Sequence, residues 1–329
     1  MKFMTKKKCL ISYADIVSLE NLFSAWEEFV REKRNKKDVQ EFGLHLADNI
    51  LVLHRDLANK TYRHGGYTHF VVTDPKRRDI HKASVRDRLV HHALHRQLYP
   101  FFDRLFAADA YSARKGKGTH RAMNRFRARA YKASRNNTRT CWVLKCDIRK
   151  FFASVNHGTL LRIFRRHNLD ADTVRLLEEV IGSFNTRPGV GLPLGNLTSQ
   201  LLVNVYMNEF DRFVKHTLKA RYYVRYADDF LILSHDRRYL VELVPKIAVF
   251  VEQELKLSLH PSKVSIKTLA SGADFLGWVH FPDHRVLRTT TKRRMFKRLA
   301  ERPKKETVQS YLGLLKHGNT RKLVKGVLQ

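Results

Sequence analysis

Residues 221–234, with the sequence RYYVRYADDFLILS, constrain the fold more than any other stretch of the chain. Apolar and aromatic residues run up to Ala227, two adjacent aspartates follow, and four apolar residues come next. Such runs favour strands, so the pattern predicts a β-hairpin with Asp228 and Asp229 at or beside its turn. Two carboxylates this close repel each other unless a cation neutralises them, and a divalent ion with oxygen ligands would do so. An ordinary Asp–Asp surface turn is the alternative for the dipeptide alone.

A third acidic residue ends another predicted strand earlier in the chain. Residues 141–148, with the sequence CWVLKCDI, are mostly apolar, which predicts a strand that ends near Asp147. Sites that hold two metal ions about 3.5 to 4 Å apart draw their carboxylates from more than one strand. Asp147 is therefore the candidate third acid beside Asp228 and Asp229, although an aspartate at a strand end can also be structural.

The excess of basic residues defines the class of partner. Lys and Arg number 63 against 31 Asp and Glu, so the formal net charge is +32. Such an excess opposes compaction by self-repulsion unless a polyanion neutralises it. Because the basic residues are spread along the chain, we predict a long nucleic-acid footprint, with an acidic protein or a membrane surface as the alternative.

Neither a membrane span nor a secretory signal is evident in the sequence. No apolar run reaches the roughly 18 to 20 residues that a bilayer requires, and no long apolar segment follows the basic N-terminus. The three cysteines, Cys9, Cys141 and Cys146, show no zinc-binding spacing. We therefore expect a reduced, cytoplasmic setting and no membrane partner.

A predicted hairpin over residues 67–80 is a candidate phosphate clamp. Its turn opens at Asp74–Pro75, and Lys76 and Arg78 follow at the tip or at the start of the returning strand. Guanidinium groups match the geometry of phosphate oxygens, so these residues suit a triphosphate. Basic residues at a turn are, however, often only solvated.

The basic region after residue 108 is a second candidate for phosphate contacts. Residues 109–123, DAYSARKGKGTHRAM, combine two glycines with basic residues such as Arg114 and Lys117, as in a phosphate-contacting loop that enters a helix. The P-loop pattern is absent. Residues 121–139 carry seven Arg or Lys residues, which predicts a face that follows a phosphate backbone.

Taken in order, these segments resemble the sequence blocks of a reverse transcriptase over about residues 60–285. The resemblance implies an α+β, right-hand polymerase fold with fingers, a palm built on an antiparallel sheet with helices on one face, and a short helical thumb. The predicted boundaries are an N-terminal helical segment at 1–60, fingers at 61–140, a palm at 141–284 with 157–190 returning to the fingers, and a thumb at 285–329.

The resemblance also assigns roles to single positions. Asp147, Asp228 and Asp229 match the metal-binding carboxylates of the family. Together with Ile148 they would hold two Mg²⁺ ions, for which Mn²⁺ is a substitute. Lys263 matches a lysine proposed to protonate the leaving group. The nucleotide-binding matches are Lys76, Arg78, Phe152, Leu194, Gly195 and Gln200. Among them, Phe152 matches the aromatic gate that excludes a ribose 2′-hydroxyl. The nucleic-acid-binding matches are Arg114, Lys117, Tyr226, Gly277 and Trp278, the last two in the FLGW block (275–278) that resembles a primer grip.

One loop departs from most of the family. Residues 191–200 read GLPLGNLTSQ, whereas group II intron and retroviral enzymes usually carry Pro-Gln-Gly before the palm helix. An aliphatic Leu194 at the glutamine position resembles the reverse transcriptases of diversity-generating retroelements. Those enzymes copy a template-repeat RNA with errors opposite adenines, and the cDNA diversifies a target gene. The sequence shows no maturase or endonuclease extension, which agrees with that class.

Three functions stay open on the sequence alone. The first is an error-prone RNA-directed DNA polymerase of the diversity-generating class, bacterial or phage-encoded, with template RNA, a cDNA/RNA duplex and dNTPs as partners. The second is a retron, group II-like or phage-defence reverse transcriptase. The third is an inactive, basic RNA-binding protein. The resemblance also implies a small, basic, oligomeric accessory protein, whose contact surface nothing in the chain specifies.

Overall fold

The structure is a computed structural model that describes residues 11–74, 76–301 and 304–328. Within these ranges the helices are α1 (Tyr13–Val17), α2 (Leu19–Val30), α3 (Lys37–Leu44), α4 (Leu46–Ala58), α5 (Val85–Asp103), α6 (Thr119–Ala133), α7 (Phe151–Ser154), α8 (His157–Arg165), α9 (Ala171–Gly182), α10 (Leu197–Arg212), α11 (Arg237–Gln253), α12 (Thr289–Glu301), α13 (Lys305–Leu315) and α14 (Arg321–Leu328). The strands are β1 (Tyr67–Val72), β2 (Arg78–Ala83), β3 (Trp142–Asp147), β4 (Tyr222–Tyr226), β5 (Asp229–Ser234), β6 (Ser265–Thr268), β7 (Ala273–Phe275), β8 (Trp278–His280) and β9 (Arg285–Leu287). Cys9, Pro75 and the first ten residues of the predicted N-terminal segment lie outside the described residues.

The chain forms two compact units, each built from three separate segments. Unit 1 comprises residues 1–107, 149–212 and 250–258, and unit 2 comprises residues 108–148, 213–249 and 259–329. The fingers, palm and thumb boundaries predicted from the sequence remain predictions.

Unit 1 is mainly helical and carries the β1–β2 hairpin. Within the predicted N-terminal helical segment, α2 buries Leu22 and Phe29 and packs against α5. The sequence pattern indicates a helix over residues 81–98, but α5 begins at Val85. The preceding Ser84 caps the helix by accepting a hydrogen bond from the backbone N–H of Asp87, and residues before it continue β2.

Unit 2 is organised around a four-stranded antiparallel sheet in the order β4–β5–β3–β6. Helix α6 packs against β4 and β5, and Phe126 of this helix lies in one hydrophobic cluster with Val224 and Leu231. A smaller antiparallel sheet, β7–β8–β9, follows in the chain. The predicted hairpin at 221–234 and the predicted strand at 141–148 thus become neighbours in one sheet.

In two segments the sequence pattern differs from the structure. The alternating residues of 257–267, LSLHPSKVSIK, indicate one strand, but regular pairing begins only at Ser265, because Lys263 N–H bonds His260 O to form a turn around Pro261, which has no N–H. The mostly apolar residues of 274–281, DFLGWVHF, also indicate one strand. They form β7 and β8, joined by a tight turn in which Leu276 and Gly277 have φ values of 52° and 83°.

Gly318, in the loop between α13 and α14, lies directly against the ring of Trp278. Trp278 is 1% exposed and belongs to a hydrophobic cluster with Met295 of α12 and Leu315 of α13. A Cβ atom built on Gly318 would lie 2.0 Å from Cζ3 of Trp278. Glycine is therefore required at this position by close packing.

Replacing Gly318 with alanine is expected to lower the free energy of unfolding by about 2 kcal/mol or more, because a buried indole cannot yield without displacing its neighbours. The matched control is Gly313→Ala in α13, where nothing lies within 4 Å of the added methyl group. That control should gain up to about 1 kcal/mol from helix propensity. Urea denaturation of both variants measures the change in the free energy of unfolding. Equal changes for the two substitutions would contradict the close packing of Gly318 against Trp278.

Within the described ranges, no helix combines the length and the apolar character needed to cross a membrane.

Candidate active site

The two adjacent aspartates lie at the tip of the β4–β5 hairpin. Tyr226 pairs with Asp229 across the hairpin, so that Ala227 and Asp228 form the two-residue loop. Ala227 adopts a φ of 55°, which is uncommon for a residue with a side chain. The buried guanidinium of Arg225 donates a hydrogen bond of 2.9 Å to the carbonyl oxygen of Ala227 and thereby stabilises this turn.

The sheet brings the third aspartate to the same place. Strands β3 and β5 are antiparallel neighbours, and Asp147 lies directly opposite Asp229 in their register. Directly opposite residues project from the same face of a sheet, with Cβ atoms about 5 Å apart. The charge of Asp147 raises the pKa values of both Asp228 and Asp229, which indicates that the three carboxyl groups lie close together.

Burial and mutual repulsion make this cluster electrostatically unfavourable. Burial raises the pKa of Asp228 well above its usual range, and the neighbouring charge of Asp147 raises it further. Burial likewise raises the pKa of Asp229 to about 6, although the nearby Lys145 acts in the opposite direction. Crowded carboxyl groups with raised pKa values are typical of sites built to hold a cation.

Two lysines contact the cluster. Lys263, assigned a role by the resemblance, forms an ion pair with Asp147 Oδ2, and the backbone carbonyl of Asp147 accepts a hydrogen bond from His260 N at 2.7 Å. Lys145, which the sequence analysis missed, lies 3.4 Å from Asp229 Oδ2 and also donates to the carbonyl of Asp274 at 2.7 Å. The alternation of side chains along a strand could have identified Lys145, since it lies two residues before Asp147.

The donor set fits a divalent cation. Among the described residues, no three His, Cys, Asp or Glu side chains are already arranged to hold a metal ion, and lysines contact two of the three carboxylates. However, Asp229 Oδ1 is buried without a hydrogen-bond partner. A buried carboxylate oxygen without a partner is costly unless a cation completes it, and carboxylate oxygens are the ligands that Mg²⁺ prefers. Ile148, the other predicted ligand position, is buried and its backbone bridges Leu259.

A buried ionic cluster around Asp109 contacts the first strand of the hairpin. Asp109 has a 4% exposed side chain and accepts hydrogen bonds from Arg125 at 2.8 Å, Arg129 at 3.0 Å and Lys215 at 3.2 Å. Its backbone carbonyl accepts from Arg225 N–H at 2.9 Å, next to the turn. Two of the basic residues predicted to follow a phosphate backbone therefore neutralise an internal carboxylate instead.

The predicted nucleotide-binding residues lie in unit 1. Lys76 and Arg78 are exposed at the tip of the β1–β2 hairpin. The backbone carbonyl of Leu194 accepts a hydrogen bond from His81 N–H of β2 at 3.2 Å. Gly195 has a φ of 104°, and a Cβ there would lie 2.9 Å from the side chain of Ile80. The loop that stands in the place of the family's Pro-Gln-Gly segment is thus bonded to β2 of the hairpin.

Two further candidates of unit 1 lie near that loop in the chain. Phe152, at the start of α7, is half-buried, and its carbonyl accepts a hydrogen bond from Leu192 N–H at 2.8 Å. Gln200 is exposed in the first turn of α10. Phe152 and Leu194 are therefore held by the same loop, and Gln200 lies beyond it in the helix.

The predicted nucleic-acid contacts differ in exposure. Tyr226 is half-buried, and its hydroxyl accepts a hydrogen bond from Thr119 at 3.2 Å. Arg114 and Lys117 donate to backbone carbonyl oxygens of their own loop. Gly277 forms the β7–β8 turn, but the ring of Trp278 is buried under Gly318. The ring of Trp278 is thus enclosed in the hydrophobic cluster, and the role of this position in nucleic-acid binding stays a prediction.

Comparisons with known proteins agree with this geometry. The pattern of the reverse transcriptase (RNA-dependent DNA polymerase) family matches residues 72–280, more than half of the chain. The chain is 26% identical over 255 residues to Protein YkfC of Escherichia coli, covering 66% of this chain and 65% of YkfC. It is 22% identical over 311 residues to the group II intron-encoded protein LtrA of Lactococcus lactis, covering 73% of this chain and 49% of LtrA. The chain thus spans less than two thirds of the length of either relative.

A solved structure supports the fold. Telomerase from Candida albicans, determined in complex with a TWJ fragment of telomeric RNA, matches with a TM-score of 0.51 at 10% identity. The match covers 74% of this chain and 50% of the telomerase chain. At this identity the likeness concerns the fold alone, and it confirms the predicted mixed helix-and-sheet, right-hand polymerase architecture.

Proposed function

The chain belongs to the reverse transcriptase (RNA-dependent DNA polymerase) family, and from this premise we propose that it is an RNA-directed DNA polymerase that uses dNTPs and Mg²⁺. The observation that carries the proposal is the convergence of Asp147, Asp228 and Asp229 on one edge of the unit 2 sheet. Reverse transcriptase domains use divalent metal ions, and this cluster has the oxygen donors to hold them.

The three carboxylates would bind the metal ions and thereby orient the primer end and the triphosphate. When bound, two Mg²⁺ ions supply Lewis-acid chemistry, which lowers the pKa of a primer 3′-hydroxyl and neutralises charge on the triphosphate. Asp147 and Asp229, which are paired across neighbouring strands, would hold these ions. Asp228 is fixed at the hairpin tip by the strained turn that precedes it.

Three basic residues and one aromatic residue have further proposed roles in binding the nucleotide and in proton transfer. Lys263 lies beside Asp147 and would donate a proton to the departing pyrophosphate. Lys76 and Arg78 would bind the triphosphate from the hairpin tip, and the ring of Phe152 would exclude a ribose 2′-hydroxyl. These assignments carry over from the family by matching positions.

Within the family, we propose the diversity-generating class. The supporting observation is Leu194, whose backbone is fixed by its bond to His81 while its half-buried side chain offers only apolar contact. The template would be a template-repeat RNA, and a small, basic, oligomeric accessory protein would assist. Because the curated relatives include a group II intron protein, a group II-like, retron or defence role is the second candidate.

Replacing Leu194 with glutamine is expected to lower misincorporation opposite template adenines by about 2- to 10-fold. A glutamine amide can hydrogen-bond near the nascent pair, and a misaligned nucleotide would leave it unpaired at a cost of about 0.5 to 1.5 kcal/mol. Sequencing of cDNA copied from a defined RNA measures the error rate. Leu194→Met, which keeps an aliphatic contact, is the control. An unchanged error spectrum in the glutamine variant would show that Leu194 is only a packing residue.

Primer extension on a defined RNA template tests the activity, and RNA affinity measured beside it tests the non-catalytic alternative. A polymerase loses extension but keeps RNA affinity when Asp228 becomes asparagine. An inactive RNA-binding protein shows no extension in either form, and its affinity does not change.

A further inference from the structure

Helix α6 divides its basic residues between two environments. Arg125 and Arg129 are directed to the buried Asp109. The exposed basic residues in the second half of the helix and in the following loop form no ion pair with any residue in the part of the chain that the structure describes. We call this second group, together with one exposed tyrosine, the α6 surface: Arg127, Tyr131, Lys132, Arg135 and Arg139.

The loop that carries Arg135 has an unusual backbone conformation. Arg135, Asn136 and Asn137 have successive φ values of 47°, 59° and 64°, although such left-handed residues normally occur singly. The turn is held by Asn136 N–H bonding Tyr131 O at 2.8 Å and by mutual hydrogen bonds between Ser134 and Asn137. Asparagine tolerates the left-handed region better than most residues, so the backbone strain of this turn falls mainly on Arg135.

A neighbouring turn fixes the α6 surface in place. Arg127 Nη2 donates to the carbonyl oxygen of Asp283 at 3.1 Å, and Asn137 Nδ2 contacts that of Pro282 at 3.5 Å. In the same β8–β9 turn the rings of Phe281 and His284 stack 4.8 Å apart. The β8–β9 turn therefore contacts both α6 and the loop that follows it, and it positions Arg127 within the surface.

The α6 surface lies at the end of the hairpin strand remote from the aspartates. Tyr222, the first residue of β4, donates its hydroxyl to the carbonyl oxygen of Lys132 at 3.4 Å. Asp228 follows the other end of β4, about 13 Å further along at 3.3 Å per residue. Contacts at the α6 surface are therefore additional to those at the metal-binding cluster.

We propose that the α6 surface binds a single-stranded segment of the template RNA outside the active site, an inference that rests on the proposed function for the identity of the RNA. Exposed cations bind phosphates, and Tyr131, 48% exposed between them, offers a ring on which a base stacks. A cationic surface interleaved with an aromatic ring is the usual arrangement for unpaired strands. An acidic protein would use the charges but would have no use for the ring.

The test is the affinity of the full chain for a fluorescein-labelled, unstructured 30-nucleotide RNA, measured by anisotropy in EDTA from 0.05 to 0.5 M salt. The double variant Arg135→Asn/Arg139→Gln keeps a residue that tolerates the left-handed turn and removes two charges. Its matched control, Lys36→Gln/Lys246→Gln, removes two exposed charges elsewhere. Tyr131→Leu removes the ring alone, and a duplex RNA of equal length is the second probe.

The double variant should reduce the salt-dependence slope by about 1.4 and weaken binding about 10- to 30-fold at 0.1 M salt, whereas the control should not. Tyr131→Leu should weaken binding of the single strand about 5- to 100-fold and leave the duplex unchanged. If the double variant binds the single-stranded RNA as tightly as the control variant does, the proposal is overturned, and an acidic protein is left as the partner of this surface. If the double variant loses as much affinity for the duplex as for the single strand, the proposal is also overturned, in favour of a purely electrostatic contact. Because binding is measured without metal or dNTPs, these results do not depend on whether the chain polymerises.

Discussion

Asp228→Asn is expected to reduce metal-dependent primer extension by about 10³-fold or more, a loss of about 4 kcal/mol in transition-state stabilisation. The substitution keeps the shape of the side chain at the hairpin tip and removes one of three clustered charges. Without that charge, the remaining carboxylates of Asp147 and Asp229 bind a divalent ion more weakly. Single-turnover extension on an RNA template, with Mg²⁺ titrated, measures the loss.

The folded state provides an internal check on this result. Burial and the charge of Asp147 raise the pKa of Asp228, so the ionised carboxylate destabilises the metal-free fold at neutral pH. In EDTA the asparagine variant should therefore be at least as stable as the wild type. Asp236→Asn is the control, since Asp236 accepts backbone N–H bonds at the start of α11 and asparagine caps equally well. Retained activity in the Asp228 variant would exclude a catalytic role for the cluster.

Asp109→Asn is expected to lower the free energy of unfolding by about 3 kcal/mol. The buried carboxylate is surrounded by Arg125, Arg129 and Lys215, and an amide would leave these three cations uncompensated. The value lies at the lower end for buried pairs because the partners are partly exposed to water. Urea denaturation measures it, with Glu41→Gln at an exposed helical pair as the control, expected within about 0.5 kcal/mol.

The same cluster predicts a dependence on pH. Burial alone would raise the pKa of Asp109, but Arg125, Arg129 and Lys215 outweigh it and hold the pKa below its ordinary value. A depressed folded pKa means that the stabilisation is fully present above the unfolded pKa of about 3.9 and is lost as pH falls through the folded value. The difference in unfolding free energy between wild type and variant should therefore be constant from pH 5 to 8 and shrink below pH 4. A difference that is largest in acid would contradict the assignment.

The local sequence was sufficient to predict the elements that carry the acids. The apolar runs on both sides of Asp228 and Asp229 predicted the hairpin, and the run before Asp147 predicted its strand. The pairing of Asp147 with Asp229 is set by the register between distant strands, which the resemblance implied and periodicity alone could not give. The candidate metal site was thus predictable in composition but not in geometry.

Other features depend on tertiary packing and were not predictable. Arg125 and Arg129 look identical in sequence to their exposed neighbours on α6, and only the position of Asp109 separates them. Trp278 follows a glycine in a block that resembles a primer grip, but the approach of Gly318 buries its ring. Charge and aromatic content indicate what a surface can bind, whereas three-dimensional neighbours decide which residues are available.

The most direct test of the central claim is extension of a labelled DNA primer on a defined RNA template by the wild-type chain, with dNTPs and either Mg²⁺ or EDTA. The structure predicts cDNA complementary to the RNA in Mg²⁺, none in EDTA and none with Asp228→Asn, and sequencing of the products gives the error spectrum opposite adenines. The assay is run with and without the product of the neighbouring gene as a source of the accessory protein. Bound RNA with no metal-dependent incorporation in either arm would contradict the assignment of the chain as a polymerase.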